Sequence, residues 1–310
     1  MTRTVPAFLD LQVNGHGGVD LLSATTTDEI RTLGRSLWSQ GVQGYLPTLI
    51  TGPIERTLEV MKLIEEVRRS GGDDEAEIIG IHLEGPFLSP EKPGTHPLDF
   101  LTLPTPDLMG KYLAAGTLAM VTLAPELPGA LDAIKFLNQM GVVVSLGHSN
   151  ATKEQAHAGF DAGAKTVTHI WNAMNKDRNS GIGAAALERE DVVISMIVDG
   201  VHLDDELVKY TIARAKDRFI VTNDAIVAAG LGDGTFPFGS FDITVANGRA
   251  SRSDGTLSGG VASLKDSLAR MLGLGIDFDS AIAAMTSTPA NLIGRPELGV
   301  LGLGQRTTEV

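Results

Sequence analysis

The chain has 310 residues, of which 43% are hydrophobic and 20% charged, a composition typical of a soluble globular protein with room for one large barrel or two modest domains. Its formal net charge is −13 and it contains no basic cluster, so binding along a nucleic acid is not expected, although one local cationic pocket would suffice for a phosphorylated ligand. The absence of cysteine excludes disulfides and thiolate metal sites, so any metal must be held by histidine, aspartate or glutamate.

The first segment, MTRTVPAFLD, lacks the charged and then apolar pattern of a signal peptide. No apolar run in the sequence is long enough to span a bilayer. We therefore expect a cytoplasmic protein with no membrane partner.

Short apolar, β-rich segments alternate along the chain with segments of helical periodicity. Three of the helical segments are TTDEIRTLGRSLWSQG, TGPIERTLEVMKLIEEVRRSGG and DDELVKYTIARAKD. The eight strand-like segments are 7–14, 42–49, 78–84, 118–124, 142–148, 165–170, 192–199 and 218–224. This rhythm predicts a single α/β domain over 1–310, a (β/α)8 TIM-type barrel. The rival, a doubly wound sheet, lacks the glycine-rich turn that should follow an early strand.

Two segments depart from the alternation. After the third strand, PFLSPEKPGTHPLDFLTLPTPD is too long and proline-rich for a simple connection, so we expect an active-site loop. After the eighth strand, residues 236–260 alternate in polarity and contain Asn-Gly and Asp-Gly, which predicts a β-hairpin inserted beside the barrel.

Polar residues follow the carboxyl ends of many of these strands, which is the end where a barrel carries its chemistry. They are Gln12, Asn14, Glu84, His148, His169, Asp199, His202 and Asp224. Alone, each has a structural explanation, because strand-end histidines are usually hydrogen-bonded and acidic residues often cap turns. Their joint occurrence favours a functional site.

One carboxylate and two imidazoles, from Glu84, His148 and His169, suit a divalent ion with an open position for water. Such an ion would lower the pKa of that water and polarise a carbonyl group. Asp224 is placed to take a proton from the water and pass it to a leaving group.

Five segments in order along the chain, HLEGPFLSPEKPGTHP, GHSNAT, THIWNAM, DGVH and VTNDAIVAAG, resemble the motifs of the N-acetylglucosamine-6-phosphate deacetylases of the amidohydrolase superfamily. The resemblance extends over nearly the whole chain. It implies hydrolysis of the N-acetyl group of an amino-sugar 6-phosphate, giving glucosamine-6-phosphate and acetate from N-acetylglucosamine-6-phosphate.

The resemblance also implies roles for individual residues. Glu84, His148 and His169 match the metal ligands, and Asp224 matches the catalytic acid and base. His96 matches a catalytic histidine that contacts the substrate near the reacting group. Substrate-binding residues are implied as well: Asn172, Ala173 and His202 at the sugar phosphate, and Arg178, which reaches the phosphate of the neighbouring subunit in a homodimer.

Many members of the superfamily bind two metals through His-x-His on the first strand. Here those positions are Gln12 and Asn14, and neutral carboxamides are poor ligands for transition ions, so we expect one divalent ion per chain. Zinc is favoured, and iron, manganese or cobalt would accept the same ligands. The hairpin at 236–260 is expected to be the remnant of the small β-sandwich that accompanies the barrel in this family.

Two alternatives stay open. One is an amidohydrolase that acts on a different amide, such as a cyclic-amide hydrolase or a deaminase; several of these bridge two metals with a lysine on the fourth strand, which here reads LAMVTLAPE without lysine. The other is a catalytically silent barrel that only binds an amino-sugar phosphate. The presence of Glu84, His148, His169 and Asp224 argues against lost catalysis.

Overall fold

A computed structural model describes residues 2–239, 241–301 and 306–310 of the chain. Its strands are β1 Thr4–Pro6, β2 Phe8–Val13, β3 Gly15–His16, β4 Val19–Asp20, β5 Val42–Ile50, β6 Glu77–Ile78, β7 Ile81–Glu84, β8 Leu118–Leu123, β9 Val143–Leu146, β10 Thr166–Val167, β11 Val193–Met196, β12 Phe219–Val221, β13 Gly234–Phe238, β14 Phe241–Ala246, β15 Arg249–Ser251 and β16 Thr307–Glu309. Its α-helices are α1 Thr27–Ser39, α2 Ile54–Ser70, α3 Pro106–Ala115, α4 Ala130–Gln139, α5 Lys153–Asp161, α6 Gly181–Glu188, α7 Asp205–Ala215, α8 Leu264–Gly273, α9 Phe278–Ala283 and α10 Ser287–Leu292.

Eight parallel strands form the core of the molecule in the order β2-β5-β7-β8-β9-β10-β11-β12, with β6 added beside β5. The first and last of them are joined through the loop after β12, where Val13 forms a parallel bridge with Ala225. Helices α1 to α8 follow the eight strands in turn. The prediction of a (β/α)8 barrel is confirmed.

Helix α1 illustrates how the local sequence sets these elements. The Thr26 side chain accepts a hydrogen bond from the backbone of Glu29, whose carboxylate accepts one from the Thr26 backbone, so the start of the helix is fixed by a capping box. Ile30, Leu33 and Leu37, spaced three and four residues apart, are buried on one face of the helix. All three belong to the main apolar core.

The last four barrel strands are shorter than the sequence predicts. Predicted segments 142–148, 165–170, 192–199 and 218–224 correspond to strands that end at Leu146, Val167, Met196 and Val221. His148, His169 and Asp224 therefore lie just beyond their strands, with φ values of 47°, 29° and 50°. A positive φ is incompatible with β conformation, so the strand must stop before each of these residues.

The segment predicted as a hairpin over 236–260 contributes three strands, because β13, β14 and β15 form an antiparallel sheet. Asn247 and Gly248 connect β14 to β15 with φ values of 52° and 74°, as a tight turn of this composition requires. Phe238, Ile243 and Val245 from the sheet pack with residues of the loop after β12. The sheet thus lies at the mouth of the barrel.

The first and last strands of the described chain lie side by side, because β1 pairs antiparallel with β16. Within the described part of the chain, no helix has the length and apolar character needed to cross a membrane.

Candidate active site

Glu84, His148 and His169 converge at the carboxyl end of the barrel. Glu84 is the last residue of β7, where it pairs with Ile50 of β5 and Thr122 of β8. Glu84 Oε1 lies 3.1 Å from both His148 Nε2 and His169 Nε2, and the two nitrogen atoms are 3.1 Å apart. All three side chains are buried. One ligand atom from each residue falls within 4.8 Å of the others, so the group could hold a metal ion.

The hydrogen bonds of this group test whether it suits a cation. His148 Nδ1 lies 3.1 Å from the carbonyl oxygen of Lys92, to which only a protonated nitrogen can donate, so Nε2 presents a lone pair to the centre of the group. Two imidazole nitrogens and a carboxylate oxygen thus face one another in a buried space. This donor set fits a divalent ion.

The close approach of these three side chains also shifts the pKa values of Glu84 and His169. Burial raises the pKa of Glu84, but its close contacts with the imidazoles of His148 and His169 outweigh this, so the pKa lies well below its usual range. Burial lowers the pKa of His169, but its hydrogen bond to Glu84 and the charge of that carboxylate outweigh this, so the net pKa is raised. The carboxylate is therefore held in its ionised form.

The side-chain amides of Gln12 and Asn14 contact the carboxylates of Glu84 and Asp224. Asn14 Nδ2 donates to Asp224 Oδ1 at 2.7 Å, and Gln12 Nε2 lies 2.9 Å from the same oxygen and 3.1 Å from Glu84 Oε1. Both amides reach the same Asp224 oxygen, and among the described residues no hydrogen bond reaches Oδ2. Burial and the negative charge of Glu84 raise the pKa of Asp224. The amide pair thus fixes the Asp224 carboxyl group with one oxygen free.

His96 comes from the long loop after β7. Its Nδ1 accepts a hydrogen bond from the backbone N–H of Thr51 at 3.2 Å and lies 2.8 Å from Thr51 Oγ1. Because a backbone N–H can only donate, the ring proton is on Nε2. Burial, together with the nearby His148, lowers the pKa of His96 to about 3. His96 is therefore a neutral hydrogen-bond donor next to the candidate ligand group of Glu84, His148 and His169. The centre of its ring lies 4.4 Å from that of the His148 ring.

His202 is oriented by Asp199, a residue that has no assigned role in the sequence analysis. Asp199 Oδ2 lies 2.7 Å from His202 Nδ1, and Asp199 Oδ1 accepts hydrogen bonds from the backbone of Val201 and His202. Burial raises the pKa of Asp199, but the hydrogen bond from His202 outweighs it and the pKa is lowered. Asp199 thus sets His202 with Nε2 as its free ring nitrogen, and His202 lines the cavity described next.

A cavity of about 240 Å³ joins these residues. The predicted site residues that line it are Glu84, His96, His148, His169, Asn172, Ala173, His202 and Asp224. Ala173 has a φ of 47°, and its N–H takes part in no hydrogen bond among the described residues. Arg178 is not among the lining residues; its guanidinium lies over the ring of Tyr210, 4.4 Å from the ring centre.

Sequence reasoning missed several lining residues. Lys176 lies in the same loop as Asn172 and Arg178, and its position between them was the available signal. Phe238 and Leu257 come from the segment after β12, which the sequence predicts as a hairpin beside the barrel. The small sheet is therefore a wall of the cavity.

The chain matches the model of the family described as "Amidohydrolase family" over residues 4–306. The N-acetylgalactosamine-6-phosphate deacetylase of Escherichia coli O157:H7 is 33% identical, over 98% of this chain and 82% of that protein. Human N-acetylglucosamine-6-phosphate deacetylase is 34% identical, over 93% of this chain and 74% of the relative.

A solved structure of N-acetyl-D-glucosamine-6-phosphate deacetylase from Mycobacterium smegmatis, in complex with N-acetyl-D-glucosamine-6-phosphate, is similar with a TM-score of 0.93 and 33% identity. The match covers 100% of this chain and 83% of that one. Fold and site together define a barrel hydrolase of the metal-dependent class. The chain belongs to the amidohydrolase family, within the group of the N-acetylglucosamine-6-phosphate deacetylases.

Proposed function

We propose that this chain hydrolyses the N-acetyl group of an amino-sugar 6-phosphate, converting N-acetylglucosamine-6-phosphate to glucosamine-6-phosphate and acetate. The observation that carries the proposal is the convergence of Glu84, His148 and His169 beside Asp224 in one cavity. The substrate class is that of the similar deacetylases from Escherichia coli O157:H7 and human.

In this proposal, Glu84, His148 and His169 hold one divalent ion per chain, with zinc favoured over iron, manganese or cobalt. The ion, when bound, supplies Lewis acidity toward the acetamide carbonyl and toward a water molecule. Gln12 and Asn14 take the place of a second pair of ligands, and both already donate to carboxylate oxygens. This arrangement supports a single ion.

Asp224 moves the protons of the reaction. Gln12 and Asn14 hold Oδ1 of Asp224, so Oδ2 takes the proton of the attacking water. Oδ2 then delivers this proton to the amino-sugar nitrogen as the amide C–N bond breaks. His96 donates from Nε2 to the acetamide oxygen, on which negative charge develops. A neutral donor suits this role because it does not compete with the ion for the ligands.

The phosphate of the substrate binds at the other side of the cavity. Asn172 and the N–H of Ala173 provide hydrogen-bond donors there, and His202 presents its Nε2; all three residues line the cavity. Arg178 adds a guanidinium from the second subunit of a homodimer, which agrees with its position outside the cavity of its own chain. We propose that this homodimer works in the cytoplasm.

Release of acetate tests the proposal. Purified protein, stripped of metal and reloaded separately with zinc, iron(II), manganese or cobalt, is given the 6-phosphates of N-acetylglucosamine, N-acetylgalactosamine and N-acetylmannosamine. We expect acetate from at least one of them and one ion per chain by elemental analysis.

Binding without acetate release under every metal would instead identify the silent barrel. Turnover of an unrelated amide alone would identify a different amidohydrolase activity. Two tightly held ions per chain would overturn the single-ion proposal, whatever the substrate.

A further inference from the structure

The outer part of the cavity contains a cation that the family resemblance does not assign. Of the described residues that line the cavity, Lys176 is the only lysine or arginine. It follows Asn172 and Ala173 in the loop after β10 and is exposed to solvent, whereas Glu84 and Asp224 lie buried at the inner end. The cavity thus has carboxylates inside and an ammonium at its mouth.

Two other cations of the chain are already engaged in contacts within the protein. Arg178 stacks on Tyr210, and Lys153 forms an ion pair with Glu188 at 2.7 Å. Lys176 forms no ion pair with any residue in the part of the chain that the structure describes. Its ammonium can therefore bind a ligand without first breaking a contact within the protein.

A phosphate dianion entering this cavity meets a chain of net charge −13 and two carboxylates at the inner end. Donors such as the Ala173 N–H provide geometry but no full positive charge. A lysine provides a point charge on a flexible stem, which can follow a phosphate at a cavity mouth. Charge attraction also directs the phosphate outward, which leaves the acetamide to face Glu84 and Asp224.

We propose that Lys176 binds the phosphate of the substrate within its own subunit and thereby sets the preference for phosphorylated over unphosphorylated amino sugars. This inference rests on the proposed function. It differs from the role given to Arg178, which acts across a subunit interface, and it predicts that each subunit retains phosphate selectivity of its own.

The test compares Lys176→Met with the wild-type enzyme on N-acetylglucosamine-6-phosphate and on unphosphorylated N-acetylglucosamine. We expect KM for the phosphorylated sugar to rise at least about tenfold, equivalent to about 1.4 kcal/mol. We expect kcat to change less than about twofold, because the lysine contacts no reacting atom, and kcat/KM for the unphosphorylated sugar to stay constant. Lys176→Arg should restore most of the loss.

Lys135→Met, an exposed lysine on α4 that does not line the cavity, is the matched control and should change neither KM. A Lys176→Met enzyme with an unchanged ratio of the two specificity constants overturns the proposal. If the wild-type protein releases no acetate at all, the proposed function fails independently. Equilibrium binding of the two sugars to wild type and Lys176→Met then decides the role of the lysine: a selective tenfold weakening supports it, and equal binding overturns it.

Discussion

The two ends of the cavity are built in different ways. At the inner end, Glu84, His148 and His169 are 2%, 5% and 3% exposed and are held by the ends of three barrel strands. At the outer end, Lys176 is exposed and belongs to the loop after β10, which also carries Arg178 outside the cavity. The inner end is therefore organised before any ligand arrives, whereas the outer end presents an exposed ammonium that forms no ion pair among the described residues. In our proposal, this difference separates the residues that perform the reaction from the lysine that selects the substrate.

The largest effect is expected when the inner end loses a ligand. His169→Asn should abolish tight metal binding and lower kcat about a thousandfold or more, because a metal ion contributes several kcal/mol to transition-state stabilisation. Elemental analysis and acetate release measure the two losses. His157→Asn removes a histidine that pairs with Glu188 on the surface and should affect neither. Retained metal and activity in His169→Asn would remove His169 from the ligand group.

Asp224→Asn should separate chemistry from metal binding. We expect kcat to fall by about 10²- to 10⁴-fold, since proton transfer is lost, while the metal content stays near one ion per chain. Asp242→Asn, an exposed aspartate on β14, serves as the matched control. A variant that turns over at the wild-type rate would show that Asp224 is not the proton carrier.

Asn14→Ala tests whether the amide pair positions Asp224. Loss of one hydrogen bond to a charged group is worth about 1.5–3 kcal/mol, so kcat should fall about tenfold or more with little change in KM or metal content. Gln43→Met removes a buried amide that instead bonds to the carbonyl oxygen of Leu298 at 2.7 Å, and it should leave kcat unaffected. Equal kcat values for wild type and Asn14→Ala would mean that Gln12 alone suffices.

The smallest effect is expected at the outer end. Arg178→Ala should raise KM about tenfold with kcat unchanged, as loss of a charge-assisted phosphate contact would. Mixed dimers sharpen the test, because an Asp224→Asn subunit can donate its arginine to the intact catalytic site of an Arg178→Ala subunit. Such hybrids should recover the low KM. No recovery would mean that Arg178 acts within its own chain or not at all.

Much of the fold follows from the sequence, because each barrel strand is a short apolar run bounded by helices. The residues at which the strands end cannot be predicted from the sequence in the same way. His148, His169 and Asp224 continue apolar segments, yet each adopts a positive φ that stops the strand. Tertiary contacts around the site select these conformations, so local sequence alone could not reveal them.

The convergence of Glu84, His148 and His169 also follows from the sequence, since parallel strands bring their carboxyl ends to one rim. Hydrogen bonds between residues far apart in the sequence cannot be predicted in this way. The hydrogen bonds of Gln12 and Asn14 to Asp224 join residues 212 and 210 positions apart. The roles of Asp199 and Lys176 depend on the direction of side chains in loops, for which the sequence carries no periodic signal. Their functional roles stay predictions.

The closure of the barrel has a consequence for how the enzyme should inactivate. The first and last strands meet through Val13 and Ala225, with the Asn14 N–H donating to the Ala225 carbonyl oxygen at 2.7 Å. This seam runs directly beside Asn14 and Asp224, whereas the proposed ligands Glu84, His148 and His169 belong to β7 and to the loops after β9 and β10, each at least two strands from the seam in the barrel order. Partial opening of the seam would disengage the proton carrier first, so catalysis would vanish on heating before the ion escapes.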